Sequence, residues 1–340
     1  MRIGKLTNQE LESIVFRQLP KLSSSTITGS AIGSDCARMV FGQGSLFAST
    51  DPITAGGMQS GTLAIHVSCN DVAACGIKPS GILLVIIAPP TASEEDLLEI
   101  VQQASKTAEA LHVDIVGGHT EVSDAVNRFV VTTTAFGLCD ESSRVLLGKA
   151  LPGDSLIMTK TAGIEGTWIV AMEFSERLSG VLTEAELKTA QGFISQLSVV
   201  PEGCVAGIEL QIPGTVSNDL VPAVHLMHDI TEGGVFGAAY EMAELSGTGI
   251  ELFESEIPVH PITAKLSKAL GIDPMRFISS GSMLIATSEP DLVVQRLEEQ
   301  NIGCSVIGRF MDGVFRVRKE DGQTEQLDPP KVDELYKLYT

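Results

Sequence analysis

The sequence predicts an α+β fold built from two domains. The chain has 340 residues, 44% of them hydrophobic and 19% charged, which suits a packed globular protein of two domains. Predicted strands and helices are mixed, without the regular strand–helix alternation of a doubly wound parallel sheet. A polar stretch at residues 139–153 separates two such mixed segments. We therefore predict one domain at residues 1–150, a second at 151–325, and a tail at 326–340.

The order of predicted elements follows from caps, turns and the spacing of apolar residues. Capping residues and a 3.6-residue apolar period predict helices, and short apolar runs predict strands. In the first domain the helices are predicted at residues 7–19, 60–75 and 93–111, and the strands at 45–50, 82–88, 114–116 and 129–136. In the second domain the helices are predicted at 184–197, 231–245 (with Thr231 as N-cap) and 291–300, and the strands at 155–160, 249–253, 282–287, 305–310 and 314–319.

The charge balance argues against several partners. The net charge is −20, so the chain lacks the basic footprint that nucleic acid or an anionic membrane surface requires. A nucleotide stays possible, because divalent ions and backbone N–H groups can carry the attraction. Six cysteines occur without a CxxC pair, and no apolar leader opens the chain. These features lead us to expect a cytoplasmic location.

Four acidic motifs stand at the ends or turns of predicted elements in the first domain. Each has an ordinary explanation, such as a turn-forming aspartate, a solvated helix face or a glycine turn. Together they predict carboxylates that converge, and convergent carboxylates need a cation, for which Mg²⁺ with phosphates is the natural choice. The motifs are Gly33-Ser34-Asp35, Ser49-Thr50-Asp51-Pro52, Asn70-Asp71 within a helix, and Gly117-Gly118-His119-Thr120-Glu121.

A fifth motif lies in the second domain. Asp229-Ile230-Thr231-Glu232-Gly233-Gly234 is predicted to open a helix, whose free N–H groups form an anion site. The common nucleotide and hydrolase motifs are missing, including GxxxxGK[ST], GxGxxG after the first strand, HExxH and GxSxG.

The order of these motifs resembles the aminoimidazole ribonucleotide (AIR) synthetase superfamily, and most of all its HypE-like hydrogenase maturation branch. The resemblance rests on Ser-Thr-Asp, Asn-Asp-Val-Ala-Ala-Cys-Gly-Ile-Lys-Pro, Gly-Gly-His-Thr-Glu, Leu-Pro-Gly-Asp, His-Asp-Ile-Thr-Glu-Gly-Gly and Ile-Ser-Ser-Gly-Ser-Met-Leu-Ile, in that order. It covers residues 35–310.

The resemblance implies a fold, a cofactor and a site. The N-terminal domain is expected to pair with a second copy through a β-barrel-like core, and the C-terminal domain to be an α/β sandwich. ATP and Mg²⁺ are the implied cofactors. The implied metal ligands are Asp35, Asp51 and Asp71. The implied cofactor-binding residues are Asp35, Asp51, Asn70, Gly117, Gly118, His119 and Thr120, and the implied catalytic residues are Asp71, Glu121 and Asp229.

The implied activity is ATP- and Mg²⁺-dependent activation of an amide or carbonyl oxygen by phosphoryl transfer, on a small molecule or a protein tail. No cysteine follows Cys304, although the HypE-like branch uses a terminal cysteine to carry the reacting group. Two alternatives therefore stay open: a small-molecule kinase of the thiamine-monophosphate type, and a nucleotide-binding partner protein without catalysis.

Overall fold

A computed structural model of the chain describes most of the sequence. The described residues are 8–10, 26–28, 36–41, 44–54, 57–140, 148–207, 210–213 and 220–339. Of the helix predicted at residues 7–19, only α1 (Asn8–Glu10) falls within them. Asp35 and its turn lie outside.

The first half of the chain forms a mixed sheet of six strands in the order β1-β2-β3-β6-β4-β5. All neighbours in this sheet are antiparallel except β4 and β5, which run parallel. The strands are β1 (Thr26–Thr28), β2 (Ala37–Phe41), β3 (Gly44–Ile53), β4 (Gly81–Ala88), β5 (Asp114–Val122) and β6 (Val130–Asp140).

Two helices, α2 (Ser60–Ala74) and α3 (Glu94–Leu111), belong to this half and contact each other closely. A Cβ at Gly61 would lie 2.2 Å from the Ile100 carbonyl oxygen, so only glycine permits this approach. The helix α3 begins with the predicted capping box, in which Ser93 and Asp96 each accept from the other's backbone N–H. Buried apolar side chains of α2, α3 and the sheet form one core cluster.

The second half contains a sheet of seven strands in the order β10-β12-β7-β13-β11-β14-β15. A short pair, β8 with β9, stands apart from it. The strands are β7 (Ser155–Thr159), β8 (Gln211–Pro213), β9 (Leu220–Pro222), β10 (Val224–Asp229), β11 (Gly249–Phe253), β12 (Met283–Thr287), β13 (Cys304–Met311), β14 (Phe315–Arg318) and β15 (Thr324–Gln326).

Helices cover both faces of this second sheet. One face packs against α7 through a cluster that includes Met242 and Ile250, and the other packs against α6 and α9 through a cluster that includes Ile157 and Leu297. A further cluster surrounds the buried Trp168 of α4. The helices are α4 (Ile164–Glu173), α5 (Glu184–Gln191), α6 (Val200–Ala206), α7 (Gly234–Ser246), α8 (Pro261–Leu270) and α9 (Pro290–Glu299). The predicted α+β class is confirmed.

Two predicted strand boundaries were wrong, because neighbouring strands pair with longer stretches of the chain. The strand β3 does not end at Asp51, because β6 pairs with it as far as Ile53. The strand predicted at 114–116 continues to Val122, because β4 pairs with it along its length. The segment predicted as a tail is packed, and its Leu335 and Leu338 join the cluster around Trp168.

No helix among the described residues is long and apolar enough to cross a lipid bilayer.

Candidate functional site

Asp51 and Asp71 lie on two elements that pack against each other. Alternate residues of β3, from Phe47 to Asp51, face α2, and Phe47 is fully buried there. Ser49, two residues before Asp51, donates its hydroxyl to the Asp71 carboxylate on α2. Asp71 is only 9% exposed. The two aspartates predicted as metal ligands therefore share one interface, at the end of β3 that leaves the core.

Asn70, next to Asp71, has a structural role that the sequence did not predict. Its side chain is fully buried. Its Nδ2 donates to the carbonyl oxygen of Leu197 at 2.8 Å, and its Oδ1 accepts from the N–H of Val199 at 2.8 Å. Both ends of the amide are thus bonded to the backbone of the second half. Asn70 therefore joins the two halves of the chain, and its predicted cofactor contact stays a prediction.

Asp229 is the last residue of β10, a strand that contacts α2. It is 1% exposed, and its Oδ2 has no hydrogen-bond partner among the described residues. An unsatisfied buried carboxylate oxygen is costly unless a ligand or ion completes it. Asp229 lies on an element that touches the helix of Asp71, and its place in the site stays a prediction.

The helix after Asp229 differs from its prediction at its N-terminus. The N-cap of α7 is Gly233, at a φ of 90°, and not the predicted Thr231. A glycine has no side chain that could cap the helix. Instead, Asp333 from the C-terminal segment accepts the Gly233 N–H at 2.7 Å. The predicted anion site at this helix end is thus occupied by a carboxylate of the same chain. Tyr336, three residues on, donates its hydroxyl to Glu232 at 2.9 Å.

A buried acidic group stands beside this helix end. Burial raises the pKa of Glu165 to about 7, and it likewise raises the pKa of Asp333 to about 7. The neighbouring Glu232 carboxylate contributes to both of these increases in pKa. These groups exchange protons near neutral pH, which sequence motifs alone did not indicate.

The Gly117–Glu121 motif is not brought to Asp51 within one chain. It lies in β5, at the far side of β6 and β4 from β3, and three strand spacings amount to about 14 Å. The predicted glycine loop is a strand, and Gly118 has a φ of 152° because β4 approaches it closely. A Cβ at Gly118 would lie 1.7 Å from the Leu84 carbonyl oxygen. The glycine is required by this strand contact, and a phosphate nest is not needed to explain it.

The other residues of that motif are exposed on the edge strand. His119 Nε2 and Glu121 Oε2 lie 3.2 Å apart, with side chains 64% and 50% exposed. Thr120 and Gly117 are exposed as well. Only a second chain could place these residues beside Asp51 and Asp71.

Sequence reasoning missed a polar group between α2 and the second half. Lys160 directly follows β7 and donates its ammonium to the carbonyl oxygens of Ser198 and Gly281 at 2.7 and 2.8 Å. It also contacts Glu202 Oε1 at 2.5 Å. Burial, together with this lysine, lowers the pKa of His66 on α2 to about 4, so His66 is neutral at pH 7. The sequence feature that could have indicated this polar group is a lysine directly after an apolar strand.

The donor set fits Mg²⁺ in part. Mg²⁺ is held in proteins by one or two carboxylates together with water and substrate phosphates. Asp51 and Asp71 supply two carboxylates at one interface, and a complete cluster of three ligands does not occur among the described residues. The third predicted ligand, Asp35, lies outside them.

Family models match most of both halves of the chain. The model described as AIR synthase related protein, N-terminal domain, matches residues 33–139. The model for the C-terminal domain of the same proteins matches residues 212–319. The chain belongs to the AIR synthase-related family. This confirms the resemblance inferred from the motif order.

Relatives within the AIR synthase-related family point to its HypE-like branch. A hydrogenase expression/formation protein of Methanocaldococcus jannaschii is 27% identical over 85% of this chain and 81% of its own length. The carbamoyl dehydratase HypE of Rhodobacter capsulatus is 25% identical over 94% of this chain and 90% of its own length.

Solved structures agree with this placement. Escherichia coli HypE, a hydrogenase maturation protein, superposes with a TM-score of 0.71 at 25% identity, covering 85% of this chain and 86% of that one. A HypE in complex with ATP has a TM-score of 0.71 at 20% identity and covers 97% of this chain and 94% of that one, which shows a shared fold.

Proposed function

We propose that this chain is an ATP- and Mg²⁺-dependent enzyme of the HypE-like branch, which activates the oxygen of an amide or carbonyl group by phosphoryl transfer. The observation that supports the proposal is the packing of the three elements that carry Asp51, Asp71 and Asp229. Their elements β3, α2 and β10 contact in series, and Asp71 and Asp229 are buried carboxylates. The Rhodobacter relative is a carbamoyl dehydratase, and the dehydration of a carbamoyl group is chemistry of this kind.

Asp51 and Asp71 are the residues that would hold Mg²⁺, with Asp35 as the predicted third ligand. Bound there, Mg²⁺ would neutralise charge on the phosphates of ATP. Ser49 fixes the Asp71 carboxylate by its hydrogen bond and so keeps one oxygen turned toward β3. The helix α2 holds Asp71 rigidly, because the preceding residue, Asn70, anchors the helix to the second half.

Asp229 is proposed to orient the acceptor. Its Oδ2 lacks a partner among the described residues, so it can accept a hydrogen bond from an amide N–H or take up a proton as the oxygen is phosphorylated. In that step a bond forms between the acceptor oxygen and the γ-phosphorus, and the bond from that phosphorus to ADP breaks. The phosphorylated oxygen then becomes a good leaving group.

We further propose a homodimer paired along β5. This strand is the edge of the first sheet, and all nine of its residues are exposed. Val116 and Val122 are 58% and 66% exposed there. An exposed apolar edge strand is a template for pairing with another chain. Light scattering should give twice the 36.0 kDa chain mass, and the mass of one chain would argue against the dimer.

A turnover assay tests the proposed function. Purified chain is mixed with Mg·ATP and either a primary carboxamide or an alcohol, and ADP and products are measured. We expect ADP release that depends on the carboxamide, and a loss of about 100-fold or more in Asp71→Asn. A phosphorylated alcohol would instead identify a small-molecule kinase. ATP binding without any turnover would identify a partner protein that lacks catalysis.

A further inference from the structure

An arginine cluster on the second sheet lies outside the candidate site. Glu251, in the middle of β11, pairs in register with Arg309 on β13 and with Arg316 on β14. Arg309 contacts Glu251 Oε2 at 2.7 Å, Arg316 contacts Oε1 at 2.8 Å, and Arg318 contacts Oε2 at 2.8 Å. One carboxylate therefore binds three guanidinium groups. We name Arg309, Arg316 and Arg318 the arginine cluster.

The arginine cluster carries more positive charge than its carboxylate can neutralise. Glu251 is 1% exposed, and the neighbouring arginines hold the pKa of its carboxyl below the usual range, against the opposing effect of burial. One negative charge against three positive ones leaves an excess of two. The nearby Glu254 and Glu325 share Lys319, so these three residues carry one net negative charge and the region as a whole keeps one net positive charge. This excess is unusual on a chain whose net charge is −20.

The guanidinium groups are both fixed and open to solvent. The side chains of Arg309, Arg316 and Arg318 are 51%, 33% and 44% exposed. Arg318 is also held over the ring of Phe253, with its Cζ 4.9 Å from the ring centroid. A guanidinium has five N–H donors, and the contacts with Glu251 use only some of them. The cluster is therefore pre-organised to donate to a further anion.

The face of the sheet that carries the arginine cluster is the one turned away from α7. Ile250 and Leu252 flank Glu251 in β11 and are fully buried in the cluster that packs on α7. Because side chains alternate along a strand, Glu251 points to the other face. The exposure of the three arginines shows that this part of the face is open to solvent.

We propose that the arginine cluster docks an acidic segment of a partner protein. The cluster lies on three neighbouring strands of a sheet and is open to solvent, so it suits an extended chain rather than an enclosed small molecule. Arg309 and Arg316 stand two strand spacings apart, about 10 Å, which carboxylates along an extended peptide can span. A long polyanion such as nucleic acid would extend over the rest of this acidic molecule and be repelled, whereas a short acidic segment would contact the cluster alone.

Binding of fluorescent hexaglutamate, followed by anisotropy at low salt, tests this proposal. The variant E251Q/R309Q/R316Q removes two of the three arginines of the cluster without leaving a buried carboxylate unpaired, and it changes the net charge by −1. The control Arg296→Gln changes the net charge equally, at an exposed arginine of α9 that pairs with Glu299. We expect the affinity for hexaglutamate to fall about fivefold or more in the triple variant and less than about twofold in the control. In Arg318→Gln, which leaves Glu251 with two arginines, the affinity for hexaglutamate should fall about twofold to threefold. This variant keeps the test available if the triple variant does not fold.

Two results would overturn the proposal. Equal affinities in the wild-type chain, the cluster variants and the control would show that the arginines serve only to compensate Glu251. Tighter binding of a six-nucleotide deoxythymidine oligomer than of hexaglutamate would show a nucleic-acid surface instead. Neither outcome depends on ATP or on the candidate site, so this test is independent of the proposed enzyme.

Discussion

At the residue scale, two neighbours on α2 have opposite roles. Asp71 lies at the interface with β3, whereas the amide of Asn70 is bonded to residues 197 and 199. The sequence predicted both as site residues, because a polar pair in an apolar helix calls for a polar partner. It could not tell a ligand from a backbone partner that lies 127 residues away along the chain. Asp71 stays a predicted ligand, and the structural role of Asn70 is the part that only the structure shows.

Also at the residue scale, the buried carboxyl groups at the start of α7 make stability depend on pH. Glu165 binds its proton more tightly in the folded chain, since burial raises its pKa from 4.5 to about 7. Between these values the folded chain holds more protons at Glu165 than the unfolded chain. His66, whose pKa burial lowers to about 4, acts in the opposite direction, but the contribution of Glu165 to the free energy of unfolding falls as the pH rises from about 4.5 to about 7. Asp333 acts in the same direction.

We predict that Glu165→Gln weakens this pH dependence, because glutamine does not titrate. The loss of unfolding free energy between pH 5 and pH 8 should be smaller in the variant by roughly 1–3 kcal/mol. Urea denaturation at both pH values measures it. Glu109→Gln, at an exposed position of α3, serves as the control and should follow the wild-type chain. The same change of unfolding free energy between pH 5 and pH 8 in Glu165→Gln and in the wild-type chain would contradict the account.

At the scale of elements, local signals predicted what local contacts determine. The capping box of α3 and the apolar run of β4 were found because their evidence lies within a few residues. The strand β5 was cut short because Gly117-Gly118 reads locally as a turn. Its continuation depends on β4, whose Leu84 carbonyl requires a glycine opposite. The helix α4, which packs within the second half, was not predicted, because no capping side chain marks where it begins.

The helix α2 joins the two halves, and we predict that Asn70→Ala weakens that junction. The change leaves the Leu197 carbonyl and the Val199 N–H without their present partners, which should cost about 2–4 kcal/mol of unfolding free energy. Chemical denaturation measures the loss. Asn127→Ala, in an exposed loop, is the matched control and should cost less than about 0.5 kcal/mol. Equal losses in both variants would show that the Asn70 bonds do not hold the halves together.

At the scale of the whole molecule, the site depends on contacts between distant parts of the chain. Motif order and the AIR synthase-related family placed Asp51, Asp71 and Asp229 together, and the contacts of β3, α2 and β10 support this. Composition alone could not predict that these three aspartates lie near one another, since each motif has an ordinary local explanation. The Gly117–Glu121 motif shows the limit of sequence order, because in one chain it lies on the far edge of the sheet.

The most direct test of the central claim is calorimetric titration of the chain with ATP, with and without Mg²⁺. We predict that the wild-type chain binds Mg·ATP, that removing Mg²⁺ with EDTA weakens binding, and that Asp51→Asn and Asp71→Asn each weaken it by about tenfold or more. Asp291→Asn, at an exposed position of α9, is the control and should bind as the wild-type chain does. Equal Mg·ATP affinity in all four proteins, or no binding in any, would contradict the assignment of Asp51 and Asp71 as the metal-nucleotide site.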